Sequence, residues 1–94
     1  MENSQLNIMY SLTFKPHATK ARRKIPRNIA TMIEEKLDLL AKNPYAPNLN
    51  VKKIKKHPIY RLRMGDWRIF YLPDDNLLEI LIISIESRKG AYKK

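Results

Sequence analysis

The chain has 94 residues, 44% of them hydrophobic and 30% charged, the balance of one globular domain rather than of a disordered chain. Nineteen Lys and Arg against nine Asp and Glu give a formal charge of +10, which points to an anionic partner: nucleic acid, an acidic protein or an anionic membrane surface. There is no cysteine, which excludes disulfides, thiolate catalysis and cysteine-held zinc and fits a reducing cytoplasm.

Residues 1–9 are polar and lack the basic and apolar regions of a signal peptide. They read as a flexible extension ahead of a single domain over residues 10–94. Tyr10 to Phe14 alternates apolar and hydroxyl residues, the pattern of a half-buried strand, and Lys15-Pro16 closes it. Pro16 to Lys24 has Ala18, Ala21 and Ile25 at helical spacing and predicts a short helix. A stronger helix is predicted over Pro26 to Lys42, where Ile29, Ile33, Leu37, Leu40 and Ala41 recur at three- and four-residue steps. Asn43-Pro44 stops it, because a residue before proline is pushed out of helical geometry. Pro44 to Pro58, with three prolines and four lysines, reads as a long loop containing a short extended piece at Val51 to Ile54. Three strands follow: Ile59 to Met64, Trp67 to Leu72 and Leu77 to Ile85. Gly65-Asp66 supplies a type II′ hairpin turn, and Pro73 to Asn76 the next turn. The tail from Glu86 to Lys94 is polar and basic. The layout is α+β: an N-terminal strand, two helices packed on one face of a mostly antiparallel sheet, and a three-strand C-terminal meander. The most apolar run, Leu77 to Ile85, is broken by Glu79 and Ser84 and is far shorter than the roughly 20 residues of a spanning helix, so no membrane is expected.

A two-residue loop at Gly65-Asp66 fixes the hairpin register. Met64 opposes Trp67, Arg63 opposes Arg68, Leu62 opposes Ile69, Arg61 opposes Phe70 and Tyr60 opposes Tyr71. Alternation then puts Tyr60, Leu62, Met64, Trp67, Ile69 and Tyr71 on one face, for the helices to cover. The opposite face carries Arg61, Arg63 and Arg68 with Phe70 among them. Like charges opposed across a ladder are destabilising, so this face reads as a seat for a polyanion. A solvated face in a basic chain is the alternative reading. Two features favour the polyanion. All three residues are arginine, the side chain suited to bidentate phosphate contact. The stretch from Leu39 to Gly65 contains no acid while holding Lys42, Lys52, Lys53, Lys55, Lys56, Arg61 and Arg63. A second basic run, Lys15, Lys20, Arg22, Arg23, Lys24 and Arg27, reads either as a solvated helix face or as a further phosphate-contacting surface. His17 and His57 stand far apart, each beside a proline, and offer no metal spacing. No carboxylate pair or Ser/His/Asp order suggests hydrolytic catalysis. With only Gly65 and Gly90 present, no glycine loop cradles a phosphate.

The segment from Tyr60 to Tyr71, YRLRMGDWRIFY, resembles the hairpin of the RelE/ParE toxin superfamily. Leu39-Leu40-Ala41-Lys42-Asn43-Pro44 with the lysine-rich loop is similar to that family's helix end and linker. Ile82 to Tyr92 is similar to its last strand and its R-x-x-x-Y tail. The resemblance spans about Tyr10 to Lys93. It implies the toxin of a type II toxin–antitoxin system. RelE-like members enter the ribosomal A site and cut mRNA by attack of a ribose 2′-hydroxyl on the adjacent phosphate, without metal or other cofactor. On this resemblance the catalytic set is Arg61, Arg63, Arg68, Arg88 and Tyr92. Lys52, Lys53, Lys55, Lys56, Arg22 and Arg23 are candidates for RNA or ribosome contact. No histidine falls among them, and Glu86 is the nearest acid. Implied partners are an acidic RelB-like antitoxin, the ribosome and mRNA, with operator DNA reached only through the antitoxin complex. A ParE-like inhibitor of DNA gyrase and a non-enzymatic RNA-binding module are the alternative readings.

Overall fold

A computed structural model describes residues 9–88. The element order is β1 (Ser11–Phe14), α1 (Pro16–Lys24), α2 (Arg27–Lys42), β2 (Val51–Lys53), β3 (Tyr60–Met64), β4 (Trp67–Asp74) and β5 (Glu79–Ser87). The strands form one sheet in the order β1-β5-β4-β3-β2. β1 runs parallel to β5, and the other pairs are antiparallel. The α+β layout expected from the sequence is therefore present, with the extended piece near Val51 serving as a fifth strand. The extension read at residues 1–9 lies outside the described residues except for exposed Met9.

The hairpin has the expected register at all five pairs, from Tyr60 with Tyr71 to Met64 with Trp67. Gly65 has φ +59, and Asp66 is not in the left-handed region, which is the type II′ pattern. Nothing lies within 4 Å of where a Cβ would stand on Gly65, so the backbone conformation alone calls for glycine there.

The core lies between the helices and one face of the sheet. Tyr71, Ile69, Leu62, Ile80, Ile82 and Ile85 on the strands are buried against Ile33, Leu37 and Leu40 of α2. α1 turns Ala18 and Ala21 inward, and such small side chains let a helix sit close to β5. Neither helix has a side-chain N-cap or an acid in its first turn. β5 carries a bulge. Phe70 pairs with Ser84 and Tyr71 with Ile82, so Ile83 is the extra residue. The bulge keeps Ile80 and Ile82 on the same covered face as Ile85 despite their odd spacing.

The second turn departs from the sequence reading. β4 continues through Pro73 and Asp74, and the turn occupies residues 75–78. Proline is tolerated there because β3 ends its pairing at Tyr71, leaving that side of β4 without a ladder partner. Asp74 Oδ1 accepts hydrogen bonds from the backbone N–H groups of Asn76 and Leu77, each at 3.0 Å, which sets the turn after it. Leu77 and Leu78, expected to open the last strand, instead sit exposed in the turn, and Leu78 has φ +54.

A tyrosine cluster closes this end of the sheet. Tyr71 is fully buried and donates to the carbonyl of Pro44 at 2.6 Å. Tyr60 stacks on Tyr71 and meets Tyr45 edge-on. Tyr10 and Tyr45 both donate to Asp75 Oδ1 at 2.7 Å. That carboxylate is held below its ordinary range by the two phenol hydrogen bonds, Tyr10's first. The Tyr45 phenol is pushed up, by partial burial and then by Asp75.

Candidate nucleic-acid interface

Strand alternation carries the arginines to the face that the helices leave bare. On β3 the inward residues Leu62 and Met64 are buried, while Arg63 between them is exposed and Arg61 is half-buried. On β4 Trp67, Ile69 and Tyr71 are buried, while Arg68 and Phe70 are half-buried on the other side. Cross-strand pairing arranges this face in two rows. In the first, Arg63, Arg68 and Glu86 follow one another across β3, β4 and β5. In the second, Lys52, Arg61, Phe70 and Ser84 follow one another across β2 to β5. The two rows lie two residues apart along the strands, about 6.7 Å.

Arg88 follows β5 immediately. Its backbone N–H donates to the Asp66 carbonyl at 2.6 Å, which fixes it beside the hairpin turn at the end of the first row. Three of the expected catalytic residues, Arg63, Arg68 and Arg88, are thus brought to one end of the open face, with Arg61 alongside. Tyr92, the fifth, lies outside the described residues. Glu86 is placed directly opposite Arg68, one strand over. The sequence has it merely nearby, and only the β4–β5 register puts it in the row.

The lysines divide. Lys52 stands directly across from Arg61, a second like-charge opposition. Lys52, Lys53, Ile54, Lys55 and Arg61 line a cleft of about 460 Å³ between β2 and β3. Lys56, in the turn after β2, has φ +67. The Arg61 Nε is shut off from solvent and has no hydrogen-bond partner among the described residues. Arg22 belongs elsewhere. It lies on α1, pairs with Glu34 of α2, and stacks over the Phe14 ring at 4.2 Å. Those contacts engage it in holding α1 to α2 and β1, on the helix side of the sheet, and so argue against Arg22 as a free phosphate contact. Arg23 is exposed in the last turn of α1.

Among the described residues no group of His, Asp and Glu side chains is arranged to hold a metal ion, and no helix is long and apolar enough to cross a membrane. The face can bind anions and stabilise charge that develops on them. Guanidinium groups offer fixed forks of donors.

A family model for the ParE toxin of type II toxin–antitoxin systems (parDE) matches residues 8–92. The chain belongs to this toxin family, within the RelE/ParE superfamily. No curated protein matches the toxin's sequence. Solved structures share its fold. The archaeal RelE–RelB complex from Pyrococcus horikoshii aligns with TM-score 0.75 at 24% identity, over 88% of the toxin and 99% of that chain. The intact E. coli RelBE toxin–antitoxin complex aligns with TM-score 0.71 at 24% identity, over 81% and 93%. The YoeB/ParE toxin from Agrobacterium tumefaciens aligns with TM-score 0.73 at 11% identity, over 82% and 96%.

Proposed function

We propose that this toxin is a ribosome-dependent endoribonuclease that cuts mRNA by attack of a ribose 2′-hydroxyl on the adjacent phosphate. The observation that carries this reading is the row Arg63, Arg68, Glu86 on the bare face, with Arg88 held at its end. In-line attack builds negative charge on the phosphoryl oxygens, and preorganised guanidinium groups aimed at that charge stabilise it. Arg68 and Arg88 take this role, and Arg63 holds the scissile phosphate from the neighbouring strand. A guanidinium does not give up its proton near neutral pH. The proton of the 2′-hydroxyl therefore goes to Glu86, the one acid of the row, or to a group of the ribosomal RNA. Tyr92 is assigned, on the resemblance alone, to stack on a base or donate to the leaving oxygen.

The structural neighbours include toxins bound to RelB antitoxins. By the same likeness an acidic antitoxin is the partner that keeps this toxin silent, and the arginine face is what it must cover.

A second reading, inhibition of DNA gyrase without catalysis, is favoured by the ParE family match. Induced expression with mapping of mRNA 3′ ends separates the two. In-frame breaks at fixed codon positions that disappear in Arg68→Ala and Arg88→Ala are the expected result. Intact mRNA with accumulated DNA breaks would overturn the ribonuclease reading and support the second.

A further inference from the structure

The two rows on the open face differ in composition. The first contains an acid, Glu86, and ends beside Arg88. The second contains none. Lys52 and Arg61 oppose each other directly, and Lys53 and Lys55 join them around the cleft of about 460 Å³. The like-charge pair costs stability. The Arg61 guanidinium has an Nε–H with no acceptor among the described residues, although a buried donor without a partner is itself costly. Lys56 adds a strained left-handed backbone in the turn that carries Lys55 past the cleft. The Lys52–Arg61 opposition lies on this cavity, and a phosphate oxygen seated there relieves that repulsion.

We infer that the Lys52, Lys55 and Arg61 cleft is a second phosphate subsite, which holds the phosphodiester next to the one bound by Arg63, Arg68 and Arg88 on the same RNA strand. The spacing supports this. The rows are two residues apart, about 6.7 Å, close to the repeat of one nucleotide along a single strand. On this assignment Arg61 is a binding residue rather than a participant in the reaction. It fixes the register of the strand, so that the bond to be cut falls over the first row. The inference rests on the ribonuclease reading for the identity of the strand as RNA.

The test uses the native full chain, released from its co-expressed antitoxin, and two RNA probes whose 2′-hydroxyls are methylated so that they cannot be cut. One is a dinucleotide with a single internal phosphodiester, the other a trinucleotide with two. The second phosphodiester is expected to raise affinity about tenfold, the size of one charge-assisted contact. Adding Lys52→Ala and Lys55→Ala should cut that gain to less than about twofold while leaving dinucleotide affinity within about twofold. Removing the same charge from α1, by Lys20→Ala and Lys24→Ala, should leave the gain in place. The Arg61 Nε–H resonance should shift with the trinucleotide and not with the dinucleotide. A gain that survives loss of the cleft lysines overturns the subsite. So does a gain lost equally in the α1 control, an Arg61 resonance that never moves, or an absence of any binding to the trinucleotide. Each of these leaves the mRNA-end mapping to decide the ribonuclease reading on its own.

Discussion

Arg63 and Arg68 oppose each other directly across β3 and β4, and a like-charge cross-strand pair costs on the order of 0.2–1 kcal/mol. Replacing exposed Arg63 by threonine removes the repulsion, keeps a β-branched residue on the strand, and leaves Glu86 still opposite Arg68. Arg63→Thr is expected to be more stable than the native chain by about 0.5 kcal/mol in urea denaturation. On the ribonuclease function proposed above, cleavage of ribosome-bound mRNA should fall by about a hundredfold, as for other lost charge-stabilising donors. A variant that loses stability and keeps activity would place Arg63 among ordinary surface residues. Asp75 makes the opposite contribution, at the far end of the sheet. Its carboxylate is lowered by hydrogen bonds from Tyr10 and Tyr45, so the folded state binds that proton less readily than the unfolded chain. The resulting stability is fully present above the ordinary value of 3.8 and is lost as pH falls through the depressed folded value. Asp75→Asn should therefore flatten the acid limb of a stability-versus-pH curve below about pH 4. Identical slopes for the two proteins would show that the tyrosine clasp adds nothing.

Both helices begin without a side-chain cap and without an acid in the first turn, so each positive dipole end is left uncompensated. Lys15 already has the extended backbone of an N-cap, φ −69 and ψ 156. Lys15→Asp should stabilise α1 by about 1 kcal/mol, seen as a raised urea midpoint with an unchanged slope. A lower midpoint would mean that Lys15 makes a contact more valuable than a cap. How far the elements were legible in the sequence follows from which of them are local. The β3–β4 hairpin is local, since a two-residue loop fixes every pair after it, and the bare arginine face followed directly. The helix spans were legible from the spacing of Ile33, Leu37 and Leu40. What depended on distant pairing was not. The parallel partnership of β1 with β5 joins residues 11–14 to residues 79–82, and no local pattern encodes it. The bulge at Ile83 hides inside a continuous apolar run. Glu86 enters the candidate site through the β4–β5 register, and Lys52 faces Arg61 only because the loop piece becomes a strand. The second turn falls two residues later than the sequence pattern suggests, because leucine is a poor signal for a turn. Asp74, which sets the turn through its Oδ1, reads in the sequence as part of the turn itself.

Charge is arranged unevenly over the whole molecule. No acid occurs from Leu39 to Gly65, while Asp74, Asp75 and Glu79 gather at the turn opposite the arginine end. The toxin therefore has a cationic end made of both arginine rows and the β2 lysines. Removing Lys52, Lys53, Lys55 and Lys56 together should weaken binding to all RNA sequences alike. It should also reduce the slope of log affinity against log salt by up to about 3, at about 0.7 per phosphate contact on a single strand. An unchanged slope would assign those lysines to solubility alone. The same polarity bears on the antitoxin proposed for this toxin. A partner that met only charge would be stripped off by salt, because screening shortens the range of exposed ion pairs to about 3 Å at 1 M. Phe70 lies half-buried within the cationic rows, and Leu72 and Leu81 oppose each other further along the same open face. An acidic segment that folds onto this face covers the arginines with carboxylates and the strip with apolar side chains, and the apolar burial survives salt. Co-expression with the acidic antitoxin should restore growth, and the complex should remain intact through a wash at about 1 M salt, where the exposed ion pairs are screened. Within it the toxin should no longer bind the trinucleotide. Rescue of growth by a protein that leaves the arginine face open to RNA would overturn occlusion as the means of silencing.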